Sequence, residues 1–361
     1  MRNYLLLTPG PLSTSATVRE SMLQDWCTWD KDYNEGIVTP IRQGLLDLAS
    51  VKPYKYTTVL LQGSGTYCVE ATIGTVVKPT DQLLVVANGA YGERIGEIAR
   101  YYGINCHLIS LKETEQITPE IVRDALEQQP QTTHFAMVHS ETTTGILNPL
   151  EDIAKVVREF SVTFIVDAMS SFGGVEIKVD KWDIDFLVSS ANKCIQGVPG
   201  FGFVIAKKEI LSQCKGIARS LSLDLYAQWE TMEAGNGKWR FTSPTHTVRA
   251  FWQAMQELRE EGGVRIRAQR YLENNKVLIE GMEKLGFKSL LSPEIQGPII
   301  SSFLYPTEDF SFVNFYEKLK SKGFVIYPGK ISQAKTFRIG NIGDVYPRDI
   351  RNLLYAIEEI I

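Results

Sequence analysis

"DFLVSSANKCIQGVPGFGFVIA", residues 185–206, sets the apolar run Phe186-Leu187-Val188 before a single lysine, Lys193. A second apolar run, Phe203-Val204-Ile205-Ala206, follows a bend marked by Gly197, Pro199 and Gly200. Both runs read as buried strands. A parallel crossover needs a dozen or more residues, usually helical, and Ser189–Phe201 is loop chemistry instead. The strand after Lys193 therefore runs antiparallel to the one before it. The lysine sits on the loop that joins them.

Working outward, short apolar runs alternate with amphipathic patterns from about residue 57 to 207. The strand candidates are Thr58–Gln62, Leu83–Ala87, His134–His139, Thr163–Val166, Asp185–Val188 and Gly202–Ala206. Between them lie helical patterns at Tyr67–Lys78, Gly92–Tyr102, Pro119–Gln128 and Leu150–Phe160. This alternation predicts an α/β fold with a mostly parallel sheet covered by helices on both faces. Residues 208–243 read as irregular. Two long helices follow, at Thr245–Glu261 and Val264–Lys284. The remainder, with strands at Ile299–Tyr305, Val325–Tyr327 and Thr336–Ile339 and helices at Phe310–Lys322 and Arg348–Ile361, reads as a small α+β unit. The expected division is an N-terminal arm (1–15), a large α/β domain (16–255) and a small C-terminal α+β domain (256–361).

Composition narrows the function classes. The 361 residues are 44% hydrophobic and 22% charged, with a net charge of −4. With no basic excess to neutralise phosphates, a nucleic-acid partner is not expected. Five cysteines, at 27, 68, 106, 194 and 214, form no CxxC pair, which fits a reducing cytoplasm. The Leu5-Leu6-Leu7 run is too short for a secretory signal, and no segment reaches membrane-spanning length. The histidines at 107, 134, 139 and 246 lack metal-ligand spacing, so no metal site is expected.

Open α/β sheets hold ligands at the carboxyl ends of their strands. After the first strand, Gly63-Ser64-Gly65-Thr66 opens a helix. Such a turn offers N–H groups and a helix dipole to a phosphate, or it is a plain capped turn. After the second, Tyr91 lies between glycines and can cover a flat ligand or simply pack. After the third comes Glu141-Thr142-Thr143-Thr144-Gly145. After the fourth, Asp167 follows a run apolar enough to be buried. A carboxylate there needs a cationic partner or backbone donors. After the fifth comes Lys193, which in isolation reads as a lysine reaching solvent. Taken together, a phosphate cup, a stacking aromatic, a buried aspartate and a strand-end amine match pyridoxal phosphate. The lysine forms a Schiff base with its aldehyde, and the aspartate keeps its ring nitrogen protonated.

The motifs "TPGP" (8–11), "GSGT" (63–66), "NGAYGER" (88–94), "HSETTTG" (139–145), "VDAMSSFGG" (166–174), "SANKCIQGVPG" (190–200) and "FRIGNIG" (337–343) span almost the whole chain. In them the sequence resembles the fold-type I pyridoxal-phosphate enzymes, in the branch of the alanine–glyoxylate and serine–pyruvate aminotransferases. The N-terminal stretch 5–35 and "SSANKCIQGVPGFGFVIA" are more narrowly similar to the 2-aminoethylphosphonate–pyruvate transaminase family.

That resemblance implies a mostly parallel, seven-stranded-type sheet and a homodimer with shared active sites. It also implies transamination of 2-aminoethylphosphonate with pyruvate, as a step in phosphonate catabolism. Lys193 would be the catalytic amine and Asp167 the partner of the ring nitrogen. Tyr91 would stack on the ring, and Ser64, Gly65, Thr66 and Asn192 would hold the phosphate. Thr142 would lie beside the cofactor, and Thr242 would reach the phosphate in the partner subunit. Arg338 would bind the substrate's acidic group, since a guanidinium fork matches both carboxylate and phosphonate. The competing readings are an alanine or serine aminotransferase using glyoxylate or pyruvate, and a lyase of the cysteine-desulfurase kind.

Overall fold

The computed structural model describes residues 4–331 and 334–361; residues 1–3 of the expected N-terminal arm lie outside it. Its centre is a seven-stranded sheet. In chain order the strands are β1 (Tyr56–Gly63), β2 (Gln82–Ala87), β3 (Asn105–Ser110), β4 (His134–Val138), β5 (Thr163–Asp167), β6 (Phe186–Ser190) and β7 (Gly200–Lys207). In space they run β1-β7-β6-β5-β4-β2-β3. The neighbouring pairs are parallel except at β7, which is antiparallel to both β1 and β6. Every residue of β2, β4 and β6 is buried, as a sheet covered on both faces requires.

The reversal after Lys193 follows the sequence reading. Gly202 pairs with Ser190 and Ala206 with Phe186 in an unbroken antiparallel register. Adjacent residues of β7 show the two covering layers, because successive side chains point to opposite faces. A Cβ on Gly202 would meet Cys68 of helix α1 (Gly65–Val76). Phe203 instead packs its ring 5.9 Å from Phe251, on the helix Thr245–Glu260.

The structure departs from the sequence reading in several places. Asn105–Ser110 is a strand that the apolar pattern did not reveal. It is the sheet's edge, and its residues are only partly buried. The supposedly irregular 208–243 segment contains the helices Lys208–Ser212 and Leu225–Ala234. Residues 168–185, for which the sequence reading gave no helix, cross over from β5 to β6 as turns without one. The single strand expected at Val325–Tyr327 is two short ones. Phe324–Val325 pairs in parallel with Leu5–Leu6, and Tyr327–Pro328 pairs with Thr336–Gly340.

Two further features position the site. One hydrophobic cluster runs from Val18 to Leu258, and a second gathers Leu7 with residues between Leu278 and Ile357. In the second, Phe337 is surrounded by rings, with centroids 5.4 Å from Phe315, 5.6 Å from Phe287 and 5.8 Å from Phe303. Burying such side chains stabilises by roughly 1.5–3 kcal/mol each. Phe337 thereby fixes its strand, and the next residue, Arg338, faces the other way.

Candidate active site

The strand ends converge as the topology requires. Ser64, Gly65, Thr66, Tyr91, Asp167, Asn192 and Lys193 all line one cavity of about 200 Å³, together with Val69, Arg94, Met169 and Ser190. Each side comes from a different element. The first turn of α1 forms one wall, and Ser64 precedes it in extended backbone without capping it through its side chain. The N-terminal N–H groups of α1 and the Ser64 and Thr66 hydroxyls are suited to an anion. Tyr91 and Arg94 come from helix α2 (Ala90–Tyr101). The guanidinium of Arg94 lies 5.0 Å from the Tyr91 ring centroid and donates to the Thr66 hydroxyl at 3.3 Å.

Asp167 ends β5 and is buried. Its Oδ1 accepts from the Met169 N–H at 2.9 Å, and this is the hydrogen bond it receives from the described residues. Burial pushes its carboxyl up to about 6, with the Met169 bond, Lys193 and Arg94 working in the opposite direction. Such a carboxylate is an acceptor waiting for a cation. Behind it, the His139 N–H donates to the Asp167 carbonyl at 2.8 Å, and His139 Nδ1 lies 2.9 Å from the Ser171 hydroxyl. Burial depresses the His139 imidazole to about 3, so it is neutral near pH 7.

Lys193 Nζ donates to the Pro9 carbonyl at 2.9 Å. Burial brings its ammonium down to about 8, against the pull of Cys194 and Asp167. More of it is thus free amine near neutrality than for an ordinary lysine, which favours a nucleophilic role. The N-terminal chain passes directly over it. A Cβ on Gly10, whose φ is +122°, would come within 2.8 Å of the lysine side chain.

The loop that carries Lys193 is pinned from the long helix Gly263–Lys284. The buried Arg267 donates to the Cys194 carbonyl at 2.9 Å, and the Tyr271 hydroxyl donates to the same oxygen at 3.2 Å. Gln196, a non-glycine residue at φ 69°, donates through Nε2 to Tyr271 Oη at 2.6 Å and to the Gly343 carbonyl at 2.7 Å. The sequence reading passed over Arg267, Tyr271, Gln196 and Arg94. Arg94 stood inside a quoted motif and could have been noticed there. Gln196 likewise stood inside a quoted motif, three residues after Lys193, whereas Arg267 and Tyr271 are joined to the site only by the fold.

Three sequence candidates lie outside the cavity wall. Thr142 is buried, with its hydroxyl 3.0 Å from the Ser170 hydroxyl. Its carbonyl accepts from Arg338 at 2.8 Å, so Thr142 reaches that arginine through its backbone. Arg338 is 4% exposed, and its Nε also donates to the Pro328 carbonyl at 2.9 Å. Thr242 lines a neighbouring, larger cavity of about 560 Å³, which shares Ser64 with the first. Exposed Phe241 and Tyr67 border that second cavity.

The cysteines offer no activated thiolate beside the amine. Cys194 is buried, its Sγ donates to the Ser170 carbonyl at 3.1 Å, and burial pushes its thiol up to about 12. Cys106 and Cys214 are raised to about 11 by burial, and Cys68 is raised further.

The chain is similar to known proteins over its full length. The aminotransferase class-V family profile matches residues 38–328. A 2-aminoethylphosphonate–pyruvate transaminase of Phocaeicola vulgatus is 61% identical over 360 residues, covering 100% of this chain and 99% of the relative. One from Vibrio cholerae is 58% identical over 363 residues, again covering 100% and 99%. Among solved structures, an alanine–glyoxylate aminotransferase from Nostoc sp. superposes with a TM-score of 0.91 at 25% identity, covering 100% of this chain and 96% of that one. The chain belongs to the class-V aminotransferase family.

Proposed function

We propose that this protein transfers the amino group of 2-aminoethylphosphonate to pyruvate, giving phosphonoacetaldehyde and L-alanine, with pyridoxal phosphate as cofactor. One observation carries the chemistry. The Lys193 amine and the under-bonded Asp167 carboxylate face a single cavity whose wall is a helix N-terminus. The substrate pair rests on full-length identity of 58–61% to enzymes named for it.

The residues fit the cofactor. Asp167 has an acceptor to give to a protonated ring nitrogen, and such a cation would offset its desolvation. Tyr91 offers a ring face, while Ser64, Gly65 and Thr66, with Asn192 beside them, offer donors to a phosphate. When bound, the cofactor supplies an aldehyde that exchanges for the donor's amino group and a ring that withdraws electrons from the reacting carbon. The chain's own task is to position groups and move protons. Lys193 Nζ takes the proton from the donor's amine-bearing carbon and returns a proton on the acceptor side. An amine near pH 8 suits both directions. Arg338 stays cationic and orients the acidic group that donor and acceptor share. Thr242, on the neighbouring cavity beside exposed aromatics, supports reading the chain as a homodimer with shared sites. The free, unpaired cysteines support the cytoplasm as its location.

The test is a comparison of donors and acceptors. Purified holoenzyme should make alanine from pyruvate when 2-aminoethylphosphonate is the donor, and should form glycine from serine and glyoxylate much more slowly. The Lys193→Ala variant should lose at least about 1,000-fold in kcat, the scale of removing both nucleophile and general base. Preference for serine with glyoxylate would favour the carboxylate-only aminotransferase reading instead.

A further inference from the structure

The acid-group end of the site holds more positive charge than one arginine. Lys330 Nζ lies 5.1 Å from the Tyr91 ring centroid, with Arg94 on the same ring at 5.0 Å. Arg338 is close enough that, with Arg94, it depresses the Lys330 ammonium, after burial as the first cause. The carboxylate that opposes them is Glu141. It is buried and already accepts from the Tyr91 N–H at 3.2 Å, the Thr143 N–H at 3.2 Å and the Thr143 hydroxyl at 2.7 Å. Lys330 forms no salt bridge with any described residue.

The arginines are partly committed. Arg338 gives Nε to the Pro328 carbonyl and Nη1 to the Thr142 carbonyl, which leaves Nη2 without a partner among the described residues. Arg94 leans toward Thr66 at the phosphate cup. One free edge of one guanidinium suits a carboxylate, with two oxygens and one charge. It undersupplies a phosphonate, with three oxygens and up to two charges. The exposed Lys330 stands where the second cation is needed, on the loop before the arginine's own strand.

We propose that Lys330 is the second cation of the acid-group subsite and sets the preference for a phosphonate over a carboxylate, while Arg338 serves both. This rests on the aminoethylphosphonate reading above. A shared site must accept a dianion in one half-reaction and pyruvate in the other. A mobile lysine can contribute to the first without crowding the second, because an ammonium is a flexible point charge and not a fixed fork.

The experiment uses holoenzyme with Lys330, Lys330→Met and Lys330→Arg. Single-turnover rates are measured with 2-aminoethylphosphonate and with L-alanine as donors. Binding of ethylphosphonate and of propionate, which lack the amine and cannot react, is measured by calorimetry. Lys330→Met should lower kcat/KM for 2-aminoethylphosphonate about tenfold and weaken ethylphosphonate to a similar degree, as loss of one charge pair in a partly desolvated site does. L-alanine and propionate should change less than about twofold, and Lys330→Arg should restore most of the loss. Equal losses for both classes, or none for either, would overturn the proposal. If the parent enzyme ignores 2-aminoethylphosphonate, the functional reading fails. The ethylphosphonate-to-propionate binding ratio then decides the role of Lys330 by itself.

Discussion

Asp167 and His139 sit back to back, and their buried side chains pull stability in opposite directions with pH. The His139 imidazole is lowered from 6.5 to about 3, so its contribution is complete above pH 6.5 and is lost as pH falls toward 3. The Asp167 carboxyl is raised from 3.8 to about 6 in the protein without cofactor. Its contribution is therefore present below 3.8 and lost as pH rises through 6. Between about pH 4 and 6 the two slopes offset each other. The Asp167→Asn variant keeps only the histidine's slope. Acidification from pH 6 to 4 should destabilise it by about 1.4 kcal/mol per unit more than the parent. Guanidinium melts of both cofactor-free proteins at several pH values check this, and parallel curves would contradict it. Asp167 and Lys193 were legible in the sequence because each ends an apolar run at a predictable edge of the sheet. Arg94 and Lys330 were not singled out, because their meaning depends on sharing the ring of Tyr91, and Lys330 lies more than 200 residues away in the chain.

Among the elements, the antiparallel strand β7 was readable because the loop after Lys193 is too short and too rich in glycine and proline for a crossover helix. The edge strand Asn105–Ser110 was hidden for a physical reason. One side of an edge strand faces water, so polar Asn105, His107 and Ser110 are tolerated and the apolar run is broken. The helix Leu225–Ala234 was hidden because its apolar residues do not gather on one face. The helix Gly263–Lys284 was found, but its link to the lysine loop was not. That link has a measurable energy. Arg267→Met removes a buried cation from the Cys194 carbonyl and from Glu261, which retains Arg270. It should cost about 3 kcal/mol of stability, near the lower end for breaking a buried charge pair. Tyr271→Phe should cost about 1 kcal/mol, since the carbonyl keeps Arg267. Denaturant titration separates the two, and a loss below about 1 kcal/mol for Arg267→Met would mean that the loop is not held from this helix.

Over the whole molecule, the site exists because distant parts of the chain meet. Residues 4–12 pair with Phe324–Val325 through Leu5–Leu6 and then bring Pro9 and Gly10 onto Lys193. The strand Thr336–Gly340 contributes Arg338 across to Thr142, and Gln196 reaches back to Gly343. No described helix is long and apolar enough to cross a membrane. This arrangement places the Lys193 amine, the Asp167 carboxylate and the N-terminus of α1 around one small cavity, with Arg338 outside its wall and bonded to the Thr142 carbonyl. If the site works as proposed, a nitrogen atom passes through it from 2-aminoethylphosphonate to pyruvate. Nitrogen-15-labelled 2-aminoethylphosphonate, incubated with pyruvate and purified enzyme, tests this directly by NMR. Label is expected in L-alanine in equal amount to the phosphonoacetaldehyde formed, and none with Lys193→Ala. Label released as ammonia, or alanine formed without label, would contradict it.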